Sequence, residues 1–280
     1  MIEFVVLEAG TELENQLIQL WQESFGDSTD YIQMFLRNRI CGQKTAVCFA
    51  EGVAVSAAYL LPLRYNMADG SSMPCYYLYA AATLPGYRGK GCFGEILAFI
   101  REHILEPVIL VPAGERLAAY YKKQGFSLWL SGKEAQYSKE QITSEDRELP
   151  VKRQEQIRET NASEYTAYRM QQLNMPGAMP WDKEMMAYIC RENRFCGGKL
   201  FELCIENTRY MIMCRKEEEV LQVLEMLPVN VSQEQRKQAA YALLAQTDCV
   251  QARVCIQPTV MVNKSPEIFL ENGYFNLTMG

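Results

Sequence analysis

The chain has 280 residues, 49% of them apolar and 22% charged, with 17 glycines and 11 prolines; this is an ordinary folded composition, long enough for two cores, and it excludes disorder and collagen-like repeats. The 34 acidic and 28 basic side chains leave a net charge of -6, which argues against a nucleic-acid partner and suits a cationic one better. No apolar run approaches the roughly 20 residues that span a bilayer. The start, Met1-Ile2-Glu3-Phe4-Val5-Val6-Leu7, lacks the basic region and cleavage site of a secretion signal, so the expected location is cytoplasmic, with no membrane partner.

The ten cysteines sit mostly inside apolar stretches such as Ala46-Val47-Cys48-Phe49 and Leu203-Cys204-Ile205, which reads as buried free thiols rather than disulfides. No pair has zinc-knuckle spacing, and His103 is the single histidine; most zinc sites and histidine-dependent nucleophiles are thereby removed, and no metal is expected. His103 falls near a helix end, where an imidazole more often meets exposed carbonyls than does chemistry.

Residues 2–7 read as a strand. Thr11-Glu12-Leu13-Glu14 has the capping-box spacing that opens a helix, with Leu13, Leu17, Leu20 and Trp21 on one face, and a second helix is expected over 28–39. Residues 45–50 and 53–65 read as a hairpin turning at Glu51-Gly52, and 74–83 as a third strand. A Gly-rich corner over 85–91 then feeds a helix carrying Phe93, Ile96, Leu97, Ile100 and Ile104. Strand 108–111, helix 115–124 and strand 126–130 complete the half.

Residues 131–150 are polar and read as a linker, after which the same order starts again. Residues 151–157 are the expected strand, Thr160 opens a helix 149 positions after Thr11, and 181–193 is the second helix. Residues 200–206 and 210–215 form the hairpin, 220–227 the third strand, Ser232-Gln233-Glu234-Gln235 a capping box, and 252–256 another strand. Ser265-Pro266-Glu267 is expected to start a short helix ending at Gly273, which stands 148 positions after Gly125. The agreeing offsets predict a duplicated α/β (mixed α+β) architecture with domains over 1–145 and 150–280.

The chemistry concentrates at the corner. Gly89-Lys90-Gly91-Cys92-Phe93-Gly94 matches the letters of the dinucleotide fingerprint, but the first glycine does not end a strand and no parallel βα unit precedes it. A Walker loop is excluded because Lys90 is followed by Gly91. What remains is an anion site: glycines admit backbone N–H groups, a helix beginning near Cys92 adds its positive end, and Arg88 and Lys90 add charge.

Ala82-Thr83-Leu84-Pro85-Gly86-Tyr87-Arg88-Gly89-Lys90-Gly91 resembles motif A of the GNAT N-acetyltransferase superfamily, Arg-x-x-Gly-x-Gly/Ala, except that Phe93 stands where the last small residue belongs, with Gly94 just after it. Ala119-Tyr120-Tyr121-Lys122-Lys123-Gln124-Gly125-Phe126 resembles the family's motif B, whose tyrosine is Tyr121. The resemblance covers about residues 1–135 and implies a central mixed, twisted sheet flanked by helices, with two such domains in tandem.

It further implies acetyl-CoA as cosubstrate, its diphosphate at Arg88, Gly89, Lys90, Gly91, Cys92, Phe93 and Gly94 and its pantetheine arm along Ala81, Ala82 and Thr83. The implied reaction is direct attack by the primary amine of a small molecule or peptide, with Tyr121 as general acid to the departing thiolate. No general base is identified; Tyr77 and Tyr79 share a strand face and are candidates to hold a water, whereas Glu51 lies in a turn. A non-catalytic acyl-CoA sensor or scaffold of the same fold is the alternative. In the second half, Gln235-Arg236-Lys237-Gln238-Ala239-Ala240 has no glycine and Phe269 stands at the tyrosine's place, so that domain is expected to be degenerate. Trp181, Tyr188, Glu217, Glu218 and Glu219 are then candidates to frame an acceptor cleft.

Overall fold

The computed structural model describes residues 1–38, 40–142, 157–205 and 208–277. They divide into two compact units, unit 1 comprising Met1–Trp129 with Val260–Glu271 and unit 2 comprising Leu130–Thr259 with Asn272–Gly280.

Unit 1 begins with β1 (Ile2–Val5), α1 (Glu12–Phe25) and α2 (Thr29–Leu36). The Thr11 and Ser28 side chains cap the two helices, and Gly26 ends α1 in the left-handed conformation. There follow β2 (Lys44–Ala50), β3 (Val53–Asn66), β4 (Ser72–Thr83), α3 (Cys92–His103), β5 (Val108–Leu110), α4 (Glu115–Lys123) and β6 (Ser127–Leu130). With β13 (Val260–Val262) they form a seven-stranded sheet in the order β1-β2-β3-β4-β5-β13-β6. Strands β1 to β4 pair antiparallel and β4 pairs parallel with β5.

Period-two alternation along β3 and β4 splits the core between two faces. Leu60 and Leu78 pack in one cluster with Ile96, Leu97 and Ile100 of α3. Tyr59 and Tyr79, on the other face, meet Trp21 of α1 and Phe35 of α2, with ring centroids 5.0 to 5.8 Å apart. Both layers anchor β4, the strand that ends at the Gly-rich corner.

Unit 2 contains β7 (Lys133–Ser138), β8 (Ile157–Glu159), α5 (Ala162–Gln172), α6 (Lys183–Phe195), β9 (Lys199–Ile205), β10 (Thr208–Glu217), β11 (Val220–Leu227), α7 (Gln233–Ala245) and β12 (Gln251–Gln257). Its six-stranded sheet has the order β7-β12-β11-β10-β9-β8. The plan of unit 1 recurs: an antiparallel run β8 to β11, a parallel β11–β12 pair with α7 between them in the chain, and an antiparallel strand outside the pair. A further likeness is local. The hairpin register shifts between Ala57 and Tyr59 opposite β4 and between Met213 and Cys214 opposite β11, so each parallel-paired strand carries an extra residue.

Three expectations change. Residues 133–138 of the expected linker are strand β7, paired with β12, because Ala135 and Tyr137 alternate with polar residues and pack into the unit 2 core. The helix expected over 265–273 is a single 3-10 turn, Pro266–Ile268; a Ser-Pro-Glu start suits either helix type. Upstream of it, the fully buried Val260-Met261-Val262 forms β13, too short a run to read as a strand, held to β5 by an Asn263 side chain that accepts from the Val108 amide at 2.8 Å. The chain therefore divides at 129/130, 259/260 and 271/272 rather than once between 145 and 150. The first six residues of the strand expected over 151–157, the linker from 143, Arg39 and Glu206 lie outside the described residues.

Candidate active site

β4 outruns its parallel neighbour. Pairing with β5 covers only Tyr76↔Val108 and Tyr77↔Ile109, while on the other edge β3 follows β4 to Thr83. The bulge falls in this unaccompanied part, where Tyr79 pairs with Tyr59 and pairing resumes at Ala82↔Ala57; Ala80 between them has φ 46°. A left-handed alanine costs about 1 to 2 kcal/mol, strain of a kind that collects at functional sites. Beyond it, Ala81 and Ala82 carry no bulk that would fill the gap beside β4.

The chain leaves β4 through the 3-10 turn Pro85–Tyr87 and enters α3 through Gly89 (φ 75°) and Gly91 (φ 88°). Gly91 is the N-cap and has no side chain to cap with. The Glu95 amide bonds the Gly91 carbonyl at 3.0 Å, which leaves the amides of Cys92, Phe93 and Gly94 as the uncapped first turn of a twelve-residue helix. A Cβ on Gly89 or Gly91 would meet nothing within 4 Å; these glycines serve the backbone conformation and leave the space beside them open.

A cleft of about 660 Å³ opens here, within the size range of small-molecule sites. Of the residues singled out in the sequence, Ala81, Ala82, Thr83, Arg88, Gly89, Gly91, Cys92, Phe93, Gly94 and Tyr121 line it. Lys90 does not: its ammonium lies over the Tyr87 ring, 5.0 Å from the centroid, and its amide is spent on the Tyr87 carbonyl. Arg88 donates from Nε to the Thr83 carbonyl at 3.0 Å, tying the loop back to the end of β4. Among the described residues it is the sole charged side chain that lines the cleft.

Tyr121 reaches the cleft through the end of α4. Gly125 (φ 87°) reverses the chain so that the Gly125 amide bonds the Lys122 carbonyl at 3.1 Å and the Phe126 amide bonds the Tyr121 carbonyl at 3.0 Å. This is a Schellman stop, which accounts for the spacing Tyr-x-x-x-Gly-Phe: it brings the Phe126 ring edge-on to Tyr121 at 5.7 Å. Tyr121 is 6% exposed, and its hydroxyl has no hydrogen-bond partner among the described residues. Burial, and after it the neighbouring Tyr120 phenol, push its pKa up to about 12.

The sequence did not point to Ser24, Phe25, Leu117 and Gln124, which also line the cleft. The first two lie at the end of α1, distant along the chain from either motif. The Ser24 hydroxyl is buried without a hydrogen-bond partner among the described residues. Tyr77 and Tyr79 are buried, with rings 6.0 Å apart, and the Tyr79 and Tyr31 hydroxyls lie 3.4 Å apart. Glu51 is exposed in its turn. Trp181 and Tyr188, expected to frame a cleft, are each 1% exposed in the core of unit 2, while Glu217, at the end of β10, and Glu218 and Glu219, in the turn after it, are exposed.

Residues 7–129 match the family described as an acetyltransferase (GNAT) domain. Unit 1 is a GNAT-family acetyltransferase domain. Solved structures similar to the whole chain include a GCN5-related N-acetyltransferase from Kribbella flavida, at 14% identity and TM-score 0.62, covering 94% of this chain and 70% of that one. Another is a GCN5-related N-acetyltransferase from Anabaena variabilis, at 15% identity and TM-score 0.62, covering 94% and 72%. At such identity the likeness is one of fold. No curated protein sequence matches the chain. The GNAT assignment gives acyl transfer as the general chemistry of unit 1. Among the described residues no three His, Cys, Asp or Glu side chains gather as metal ligands would, and no helix is long and apolar enough to cross a membrane.

Proposed function

We propose that the unit 1 cleft binds acetyl-CoA and that the protein transfers the acetyl group to a primary amine of a small molecule or peptide. The observation that carries this reading is the meeting, in one cleft, of an uncapped helix N-terminus, a strand edge without its β5 partner, and the Tyr121 phenol. The amides of Cys92, Phe93 and Gly94 and the guanidinium of Arg88 are suited to a diphosphate. The β4 edge at Ala81, Ala82 and Thr83 is suited to an extended amide-containing arm, which it would bond as another strand does.

The bound thioester supplies an acyl carbon activated toward an amine. As the C–N bond forms and the C–S bond breaks, the amine loses a proton and the sulfur gains one. Tyr121 is the donor at the sulfur. With its pKa at about 12 it is a weaker acid than a thiol near 8.5, so its main contribution is a hydrogen bond to the developing sulfur charge, strengthened by the dry surroundings. Among the described residues no carboxylate or imidazole lines the cleft, so the amine's proton passes to solvent.

The same reading makes unit 2 a degenerate GNAT-like domain. Its counterpart of α3 is α7, where the Ser232 hydroxyl accepts from the Gln235 amide at 3.1 Å and the Gln235 side chain accepts from the Ser232 amide at 2.9 Å. The helix thus caps itself, and Glu234 in its first turn repels anions. At the bulge of β11, pairing resumes at Glu225 where β4 has Ala82. Glu225 is fully buried and bonded to Arg169, Tyr165 and Tyr274, so a charged, aromatic cluster stands where β4 has a small alanine.

The test is incubation with acetyl-CoA and a panel of polyamines, aminoglycosides and peptides while free thiol is measured. Acceptor-dependent thiol release is expected. Binding with no release above background for any acceptor would favour a non-catalytic acyl-CoA sensor or scaffold, and absence of binding to any acyl-CoA would end both readings.

A further inference from the structure

Phe93 stands where the motif has a small residue, and the structure gives its ring a definite place. It is the second residue of α3, next to the uncapped amides, and it lines the cleft. Its ring stacks on Tyr120 with centroids 6.2 Å apart and planes 30° apart, and it meets Tyr121 edge to face at 6.2 Å and 84°. The small residue has moved one place on: a Cβ at Gly94 would lie 3.7 Å from the Tyr120 hydroxyl, so the glycine leaves that ring ample room.

The Tyr121 hydroxyl has no protein hydrogen bond among the described residues to fix its direction. Packing must do it. Two of the rings around it, Tyr120 and Phe126, belong to its own helix and that helix's stop. Phe93 is the ring that comes from α3. An edge-to-face contact depends on ring orientation as well as distance, so losing it frees the Tyr121 ring to tilt in a way that losing bulk elsewhere would not.

We infer that Phe93 is a positioning residue for Tyr121, linking the orientation of the proton donor to the helix start that faces the cofactor's diphosphate. This rests on the proposed role of Tyr121. The ring contacts with Tyr120 and Tyr121 give the bulky residue at this motif position a packed place beside the cleft.

Steady-state kinetics of the full-length chain test it, using acetyl-CoA and the best acceptor from the panel. Phe93→Ala should lower kcat by roughly 10- to 100-fold, the range that a small misplacement of a catalytic group costs, with KM for acetyl-CoA changed less than about threefold. Phe93→Tyr, which keeps the ring, should recover most of that loss, and Phe93→Leu, which keeps bulk but no ring, should not. In a Tyr121→Phe background, Phe93→Ala should lower kcat by less than about threefold, because the group it orients is already gone. Multiplying effects in the double variant would overturn the inference while leaving Tyr121 as the donor, as would a Phe93→Ala change confined to KM. A Tyr121→Phe variant with full kcat would overturn both. Should Phe93→Ala fail to fold, equal kcat values for the Tyr and Leu variants would overturn it.

Discussion

The Arg169 guanidinium holds the Glu225 carboxylate with Nε 2.8 Å from Oε2 and Nη2 3.1 Å from Oε1, and neither side chain exposes any surface. Tyr165 donates to the same carboxylate at 2.6 Å and Tyr274 at 2.8 Å. A buried ion pair of this kind is costly to break from one side, because the survivor is left charged and unpaired.

Glu225→Ala should therefore destabilise unit 2 by about 3 to 5 kcal/mol, through an uncompensated Arg169 and two orphaned phenols. Replacing both partners, Arg169→Met with Glu225→Leu, should cost less than Glu225→Ala alone. Urea unfolding followed by far-UV circular dichroism checks the order; a double variant less stable than the single one would show that the charges themselves are not what the substitution exposes.

Gly91→Ala isolates the backbone requirement of the loop. Its φ is 88°, and a Cβ there meets no atom within 4 Å, so the penalty is conformational rather than steric. A loss of about 1 to 2 kcal/mol of stability is expected, together with weaker acetyl-CoA binding, since the α3 amides would no longer share one direction. Thermal unfolding with and without acetyl-CoA reads both effects, and an unchanged ligand-induced shift would place the diphosphate elsewhere.

How far the site was legible in the sequence follows from what each feature depends on. The loop from Arg88 to Gly94 and the spacing from Tyr121 to Phe126 are local backbone chemistry, a glycine N-cap and a Schellman stop, and both are written in consecutive residues. Ser24 and Phe25 line the same cleft only because α1 packs beside β4, which no local pattern announces. Strand β13 was missed for another reason. Val260-Met261-Val262 is three residues long, and its partner β5 lies about 150 positions away in sequence, so its apolar run carries no sign of which sheet it completes. The counterpart sought at Phe269 fails likewise, since that ring packs on Tyr65 and Trp129 in unit 1 at 4.9 and 5.0 Å.

Tyr121→Phe should lower kcat by roughly 10² to 10⁴ with acetyl-CoA affinity nearly unchanged. The pH profile carries a second sign. A general acid must be protonated, and a pKa of about 12 keeps Tyr121 so throughout the range in which an amine acceptor loses its proton. kcat/KM for acetyl-CoA, which reports the free enzyme, should show no alkaline fall between pH 8 and about 10.5; a fall centred near 10 would mark an unperturbed phenol instead.

Glu14 governs acid stability at the start of α1. It is buried, accepts from the Gly10 amide at 2.6 Å and from Arg37 at 2.8 Å, and the hydrogen bond from Arg37 leads the causes that lower its pKa from 4.5. A lowered folded-state value means that the stabilisation is complete above the unfolded value and is lost as pH falls through the folded one. Thermal unfolding between pH 7 and pH 3 should show a steeper loss below pH 4.5 for the wild type than for Glu14→Gln; parallel curves would remove Glu14 from the acid response.

Isothermal titration of the full chain with acetyl-CoA addresses the central claim most directly. An uncapped helix start at the unit 1 cleft and a self-capped α7 in unit 2 predict one site per chain, weakened by Arg88→Ala by a few kcal/mol at most because the backbone donors remain. Two sites per chain, or one site unaffected by both Arg88→Ala and Gly91→Ala, would contradict it.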